Sequence, residues 1–365
     1  MASYLSGLLK SKGTDDKEIE EILVRIATKH PIEFEERIDT LAKPLILECA
    51  CPGWQSRNWP PARAYPAEKP LGYQEGGVRY PAVPITIEDQ ARESVLANKA
   101  GAAALHIHPR DPKDGIASDD PVLLAQVYDK IFSEVDAISI QHTWKRRADG
   151  TIDFIEDAER MLDLGRGNRY CQGAVVLWPP NDSYHSKYAR SVQDGIRFME
   201  KNDIKPVHKL RGTYHVRQMD RVLVSTGVIT RMPLVLVHDM GHPFGWPLDQ
   251  DPWVPLDMIT SIMQTKQRMP KDSVIGVFSG GRNWMPITMT AILAGVDFVR
   301  VGIEDVYWMY PHRDEVIQSN MACVEKIVDF CSLIGRRIVG VEEARKILGI
   351  KLTSPQSQAA TQRAG

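Results

Sequence analysis

An excess of charge of either sign is the first thing this chain lacks. Its 45 basic and 47 acidic side chains leave a net charge of −2 and a pI near 6.6. Such a surface has no general attraction for nucleic acid or for an anionic membrane, so neither is expected as a partner. Long apolar runs are missing as well. No stretch approaches the ~20 residues of a membrane span, and residues 1–10 lack the apolar core and cleavage site of a signal peptide, which predicts a cytoplasmic protein. The five cysteines are an odd number without framework spacing, which points to a reducing compartment and free thiols. Cys49 and Cys51 share one strand face, where they serve either as metal ligands or as apolar filling.

What the chain does have is apolar content in a regular order. Hydrophobic residues make up 43% of its 365 positions, enough for one large barrel or two medium domains. A helix is expected over 15–29, where Ile19, Ile22, Leu23 and Ile26 form one stripe. A buried strand follows at 45–51. Residues 52–84 are then rich in Pro, Gly, Tyr and Trp without periodicity, as in a lid, a binding loop or a subunit contact. After Thr86 helices and strands alternate to the end, with strands at 103–108, 137–141, 170–177, 205–210, 234–238, 273–278 and 297–302. A long last helix is expected over 313–336 and a short one over 341–348. Eight apolar strands joined by helices predict a (β/α)8 TIM barrel, whose chemistry sits at the C-terminal ends of its strands.

Those strand ends are rich in titratable groups. The second strand ends in His106-Ile107-His108-Pro109-Arg110, and period 2 places both histidines on one face, about 6.5 Å apart along the chain. Two imidazoles at a strand end can chelate a divalent metal, although one buried and one exposed histidine is an equally open reading. Gln141, His142 and Thr143 end the third strand, His208 and Lys209 the fifth, and His238 and Asp239 the sixth, with His242 just beyond. The seventh gives Ser279, Gly280, Gly281 and Arg282, either a phosphate-cradling loop or a tight turn. Arg300, Glu304 and Asp305 follow on the eighth. Strands 2 and 8 both neighbour strand 1 in a closed barrel, so Glu304 can complete a His2Glu set with His106 and His108; a solvated loop pair is the alternative.

The run Ala102-Ala103-Ala104-Leu105-His106-Ile107-His108-Pro109-Arg110, with Asp114-Gly115 after it, resembles the His-x-His-x-Arg…Asp-Gly signature of the β-keto acid cleavage enzymes, the family of 3-keto-5-aminohexanoate cleavage enzyme. Arg300-Val301-Gly302-Ile303-Glu304-Asp305, Ser319-Asn320 and Glu342-Glu343-Ala344-Arg345 match further along. The resemblance implies a zinc-bearing TIM barrel, with Fe2+ or another divalent ion as the alternative. It is expected to be a homo-oligomer, dimer or tetramer, that condenses a keto acid with acetyl-CoA to give acetoacetate and a CoA thioester. Carried over, it makes His106, His108 and Glu304 the metal ligands and Arg300 and Asp305 a catalytic pair, with Arg110 beside the ligands or on a substrate carboxylate. A zinc ion then polarises the keto oxygen, and Asp305 takes a proton α to it.

Several positions depart from the family pattern. A family Glu after strand 1 falls at Gln55, the family's Ser-Thr-Gly-Gly turn is His142-Thr143-Trp144-Lys145, and a family Thr falls at Ala174. Gln55, His142 and Thr143 are therefore candidates for altered catalytic positions. Lys145, Ser279, Arg282 and His238 join Arg110 as candidate substrate-binding groups. A rebuilt pocket on a retained metal site leaves open a CoA-independent zinc hydrolase or retro-aldol lyase, and a noncatalytic metal-binding subunit is a third reading. Residues 1–40 and the loop at 52–84 look like additions to a barrel of residues 41–352, expected to narrow its mouth or meet a neighbouring subunit; residues 353–365 are expected to be a flexible tail.

Overall fold

A computed structural model describes residues 2–11, 13–28, 39–51, 74–75, 78–79, 83–113, 115, 117–149, 151–178, 186–211, 213–240, 254–306 and 308–353. The chain divides into two compact units, residues 1–39 and 40–365. The first carries α1 (Ala2–Ser11) and α2 (Asp16–Thr28). Asp15 starts α2 as expected of an N-cap, its carboxylate accepting from Glu18 N at 2.8 Å. Ile19 of the predicted stripe is buried, while Ile22 and Leu23 are half-buried.

The second unit is a closed parallel barrel of eight strands. These are β1 (Ile46–Ala50), β2 (Ala104–His106), β3 (Ile138–His142), β4 (Gly173–Leu177), β5 (Lys205–Leu210), β6 (Val235–Met240), β7 (Val274–Ser279) and β8 (Phe298–Val301). β1 closes the ring by pairing with both β8, Glu48 opposite Arg300, and β2, Ala50 opposite His106. Alternate residues fill the interior: Ile46, Ile138, Ile140, Val175, Val207, Val235, Val237, Phe278 and Phe298 form one cluster. Gly276 makes room for Phe298, because a Cβ there would lie 2.7 Å from the Phe298 carbonyl oxygen. Below them Val339, Ala344, Leu348 and Ile350 plug the N-terminal end of the barrel.

The other strand face packs on the helices. Those are α3 (Ile87–Lys99), α4 (Pro121–Glu134), α5 (Glu156–Asp163), α6 (Ser186–Lys201), α7 (Thr213–Met219), α8 (Val254–Arg268), α9 (Trp284–Leu293) and α10 (Asn320–Leu333), while α11 (Val341–Leu348) carries the plug residues Ala344 and Leu348. Cys49 and Cys51 lie on this outer face, buried within the shared strand–helix core, and burial raises both thiols, as expected of apolar filling. The last long helix starts at 320 rather than 313. Ser319 is extended there and its hydroxyl accepts from Ala322 N at 3.1 Å, while the preceding segment is held in a loop by a bridge between Trp308 and Val316. No helix among the described residues is long and apolar enough to cross a membrane.

Candidate active site

The site forms where β8, β1 and β2 end. His106 points inward by the same alternation that turns Ala104 inward, and His108 continues that parity past the strand end. Glu304 reaches them through a backbone turn that only glycine permits. Gly302 has φ 133° and packs on β1, where a Cβ would lie 2.5 Å from the Ala50 carbonyl oxygen. The turn is pinned by Glu304 N donating to Ala50 O at 3.3 Å and by Ile303 N donating to the Asn320 side chain at 2.9 Å.

Three donors converge there. His106 Nδ1 lies 2.7 Å from the Ile140 carbonyl oxygen, which fixes the tautomer and leaves the lone pair on Nε2. That Nε2 is 3.2 Å from His108 Nε2 and 3.4 Å from Glu304 Oε2, and His108 Nε2 is 3.9 Å from Glu304 Oε1. Tetrahedral ligation at 2.0–2.2 Å sets donor separations of about 3.3–3.6 Å, close to this spacing. Burial holds both imidazoles well below the ordinary histidine range, with Arg300 adding to the effect on His106 and the neighbouring His106 to that on His108. Both are therefore neutral and offer lone pairs rather than N–H charges. The set His106, His108 and Glu304 fits a divalent ion by donor type, tautomer and spacing.

A second layer holds the first. Arg300 clamps Asp305 through Nε at 2.8 Å and Nη2 at 3.0 Å, and the same Nη2 is 3.0 Å from Glu304 Oε1. Its guanidinium also sits 4.5 Å above the Phe278 ring. Burial works against the charge on Arg300, yet Asp305, Glu304 and Glu48 raise its pKa far above the usual value, so it stays cationic. On the cavity wall beside His108, Asp119 lies 3.9 Å from Nδ1, too long for a hydrogen bond.

The three donors, Asp119 and Arg300 face one cavity of about 450 Å³, within the range of small-molecule sites. Of the residues singled out in the sequence, His106, His108, His142, Lys145, Arg300 and Glu304 line it. The His142 ring lies 5.2 Å from that of His108 and 4.3 Å from that of Trp144, and burial holds it well below the ordinary range. Lys145 is committed to Asp157 at 2.6 Å and Glu156 at 3.2 Å. Asp305 stands behind Arg300, off the cavity wall, and Thr143 and Arg110 are also buried away from that wall.

Besides Arg110, three candidate substrate-binding groups are not brought there. His238 projects from the outer face of β6, 3.1 Å from both Ser261 and Thr265 of α8, because the inward positions of that strand are Val235, Val237 and Asp239. Ser279 turns its hydroxyl to Thr288 of α9. Arg282 pairs with Asp314 at 2.8 Å and stacks on Trp308 at 4.2 Å. Gln55 lies outside the described residues.

Two features were missed in the sequence. Glu48 is fully buried in β1 with no hydrogen-bond partner for either oxygen among the described residues, and burial, offset in part by Arg300, pushes its carboxyl up to about 8. A lone Glu inside the apolar run 45–51 was the available signal. Arg211 of the β5 end, and Lys209, which the sequence placed at that strand end without a role, also line the cavity, both on Asp239, at 3.2 and 3.3 Å. Only the inward parity of β5 distinguishes them from surface cations.

Comparison with known proteins supplies the context. The beta-keto acid cleavage enzyme family matches residues 70–350. The 3-dehydrocarnitine:acetyl-CoA trimethylamine transferase of Rhizobium meliloti (strain 1021) is 28% identical over 288 residues, covering 74% of this chain and 90% of that protein. The 3-keto-5-aminohexanoate cleavage enzyme of Acetoanaerobium sticklandii is 27% identical over 276 residues, covering 74% and 92%. Among solved structures, apo ObcA superposes with a TM-score of 0.57 at 14% identity over 73% of this chain and 65% of that one, a likeness of fold. The chain belongs to the β-keto acid cleavage enzyme family.

Proposed function

We propose that this protein cleaves a β-keto acid with acetyl-CoA at a zinc site formed by His106, His108 and Glu304. The keto acid R–CO–CH2–COO⁻ and acetyl-CoA become R–CO–SCoA and acetoacetate, so the acyl group R–CO moves to CoA and the acetyl group moves to the carbon it left. The observation that carries this reading is the meeting of that ligand set with Arg300 at one cavity, with Asp305 clamped directly behind Arg300, in a chain of this family. The acetyl-CoA named in the relatives' activities supports the acyl acceptor.

A divalent ion in this site supplies Lewis acidity, polarising the keto carbonyl and offsetting charge that develops on its oxygen. The chain's own groups do the rest. Ile140 holds His106 in the ligating tautomer. Asp305 takes the proton α to the polarised carbonyl. Both of its oxygens are engaged by Arg300, so the step requires substrate to loosen that clamp. His142 is the alternative acceptor on the wall, but an imidazole held well below its ordinary pKa is a weak base. His142 and Trp144, with rings 4.3 Å apart, form one side of the cavity.

The test is mass spectrometry of products from the zinc-loaded protein and a panel of β-keto acids, with and without acetyl-CoA. Acetoacetate and a new acyl-CoA are expected only when acetyl-CoA is present. Turnover indifferent to acetyl-CoA would replace this reading with a hydrolytic or retro-aldol one.

A further inference from the structure

The wall opposite the metal ligands is cationic. In the closed strand order β5 lies across the barrel from β1, four places away in either direction. The ligands come from the β8 and β2 ends on either side of β1, and Lys209 and Arg211 come from the β5 end. All of them line one continuous cavity. Lys209 Nζ is 5.8 Å from the centroid of the Phe278 ring and Arg300 is 4.5 Å from it, so this ring lies between the two cationic walls.

Charge is balanced on the ligand side and not on the other. Arg300 faces Glu304 and Asp305, and Lys145 faces Glu156 and Asp157. Lys209 and Arg211 share a single oxygen of a single carboxylate, Asp239 Oδ2, and have no other ion-pair partner among the described residues; Glu48, the other acid near Lys209, is pushed toward its neutral form by burial. Their side chains are only 11% and 15% exposed. Arg146, exposed at the rim, joins these two buried cations on the cavity wall and has no ion-pair partner among the described residues. Cations withdrawn from water in excess of their counter-charges bind an anion that replaces the lost hydration.

We infer that the substrate is a β-keto acid carrying a second anionic group at its far end, held by Lys209 and Arg211 with Arg146 at the rim. This assignment rests on the keto acid reading of the site. A substrate anchored by its keto acid end at the β8–β2 side points its substituent at β5, and a chain of roughly six atoms at ~1.5 Å per bond crosses the space over Phe278. A carboxylate there meets the lysine and the guanidinium fork in charge-assisted hydrogen bonds. A cationic or apolar terminus would leave the surplus charge buried.

The experiment is calorimetric titration of the full-length, zinc-loaded protein, without acetyl-CoA, with 3-oxoadipate and with its distal methyl ester. The dianion is expected to bind about 10–100-fold more tightly, the range for hydrogen bonds to charged groups. That preference is expected to collapse in Arg211→Gln and in Lys209→Gln, each of which leaves the remaining cation paired one to one with Asp239 and so no lone buried charge. Equal binding of the two compounds would overturn the assignment. So would variants that keep the preference and instead raise KM for acetyl-CoA, since the cations would then serve its phosphates. Tight dianion binding without acetyl-CoA-dependent turnover would retain the anion site and sink the proposed reaction; acetyl-CoA-dependent turnover of acid and ester alike, with equal binding, would do the reverse.

Discussion

The inner and outer faces of the same barrel strands carry the same residue types in different chemical roles. His106, His108 and His142 face inward onto a cavity shared with Glu304. His238 and His208 face outward into the layer between strands and helices, where burial drives their imidazoles down to about 4 and about 3. All five are neutral, but only the inward ones face the cavity, and His106 and His108 present their lone pairs to one point with Glu304. His238 spends both ring nitrogens on the Ser261 and Thr265 hydroxyls. The carboxylates divide similarly: Glu304 converges on the imidazoles, whereas Glu48, one level down on the neighbouring strand, has no hydrogen-bond partner among the described residues. A strand end thus becomes a site through its parity and through what meets it.

The comparison is broken most severely by His106→Ala. Loss of a ligand removes Lewis-acid stabilisation of several kcal/mol, so kcat should fall about 10³-fold or more while circular dichroism stays native. Asp305→Asn should lower kcat by about 10²-fold with zinc content unchanged, the mark of a lost base rather than a lost ligand; equal loss of zinc would assign Asp305 to the metal instead.

Glu48→Gln sharpens the contrast among buried carboxyls. A carboxyl raised from 4.5 to about 8 by folding contributes its full stability below pH 4.5 and loses it as pH rises through 8, because the unfolded chain ionises first. Glutamine has no such dependence. The variant should therefore match the parent near pH 4.5 and exceed it in Tm by pH 8, the gap growing by at most about 1.4 kcal/mol per pH unit. A constant gap across that range would show that Glu48 does not titrate there. His238→Ala is the mildest change. It should leave kcat intact and cost about 1–3 kcal/mol in denaturant unfolding, as two buried hydroxyls lose a partner; a large loss of kcat would put His238 in the site after all.

These contrasts also mark what the sequence made legible. The barrel was readable because apolar strands and amphipathic helices alternate with regular spacing, and the ligand set because His106 and His108 share a parity and strands 2 and 8 flank strand 1. The faces of β5, β6 and β7 were not. Both sides of a parallel barrel strand are buried, so Val235-Leu236-Val237-His238-Asp239 shows no alternation to say which of His238 and Asp239 points inward. The same ambiguity let Ser279 and Arg282 stand as substrate groups while Lys209 and Arg211 passed without a role. The missed start of α10 has a local cause, since Ser319 caps a helix whose upstream residues carry no breaker.

Metal stoichiometry tests the central claim most directly. After zinc loading and dialysis, elemental analysis should find one zinc per chain in the parent protein and in His238→Ala, and almost none in His106→Ala or His108→Ala. Zinc retained by the inward variants, or lost with His238, would contradict the placement of the site on the inner face.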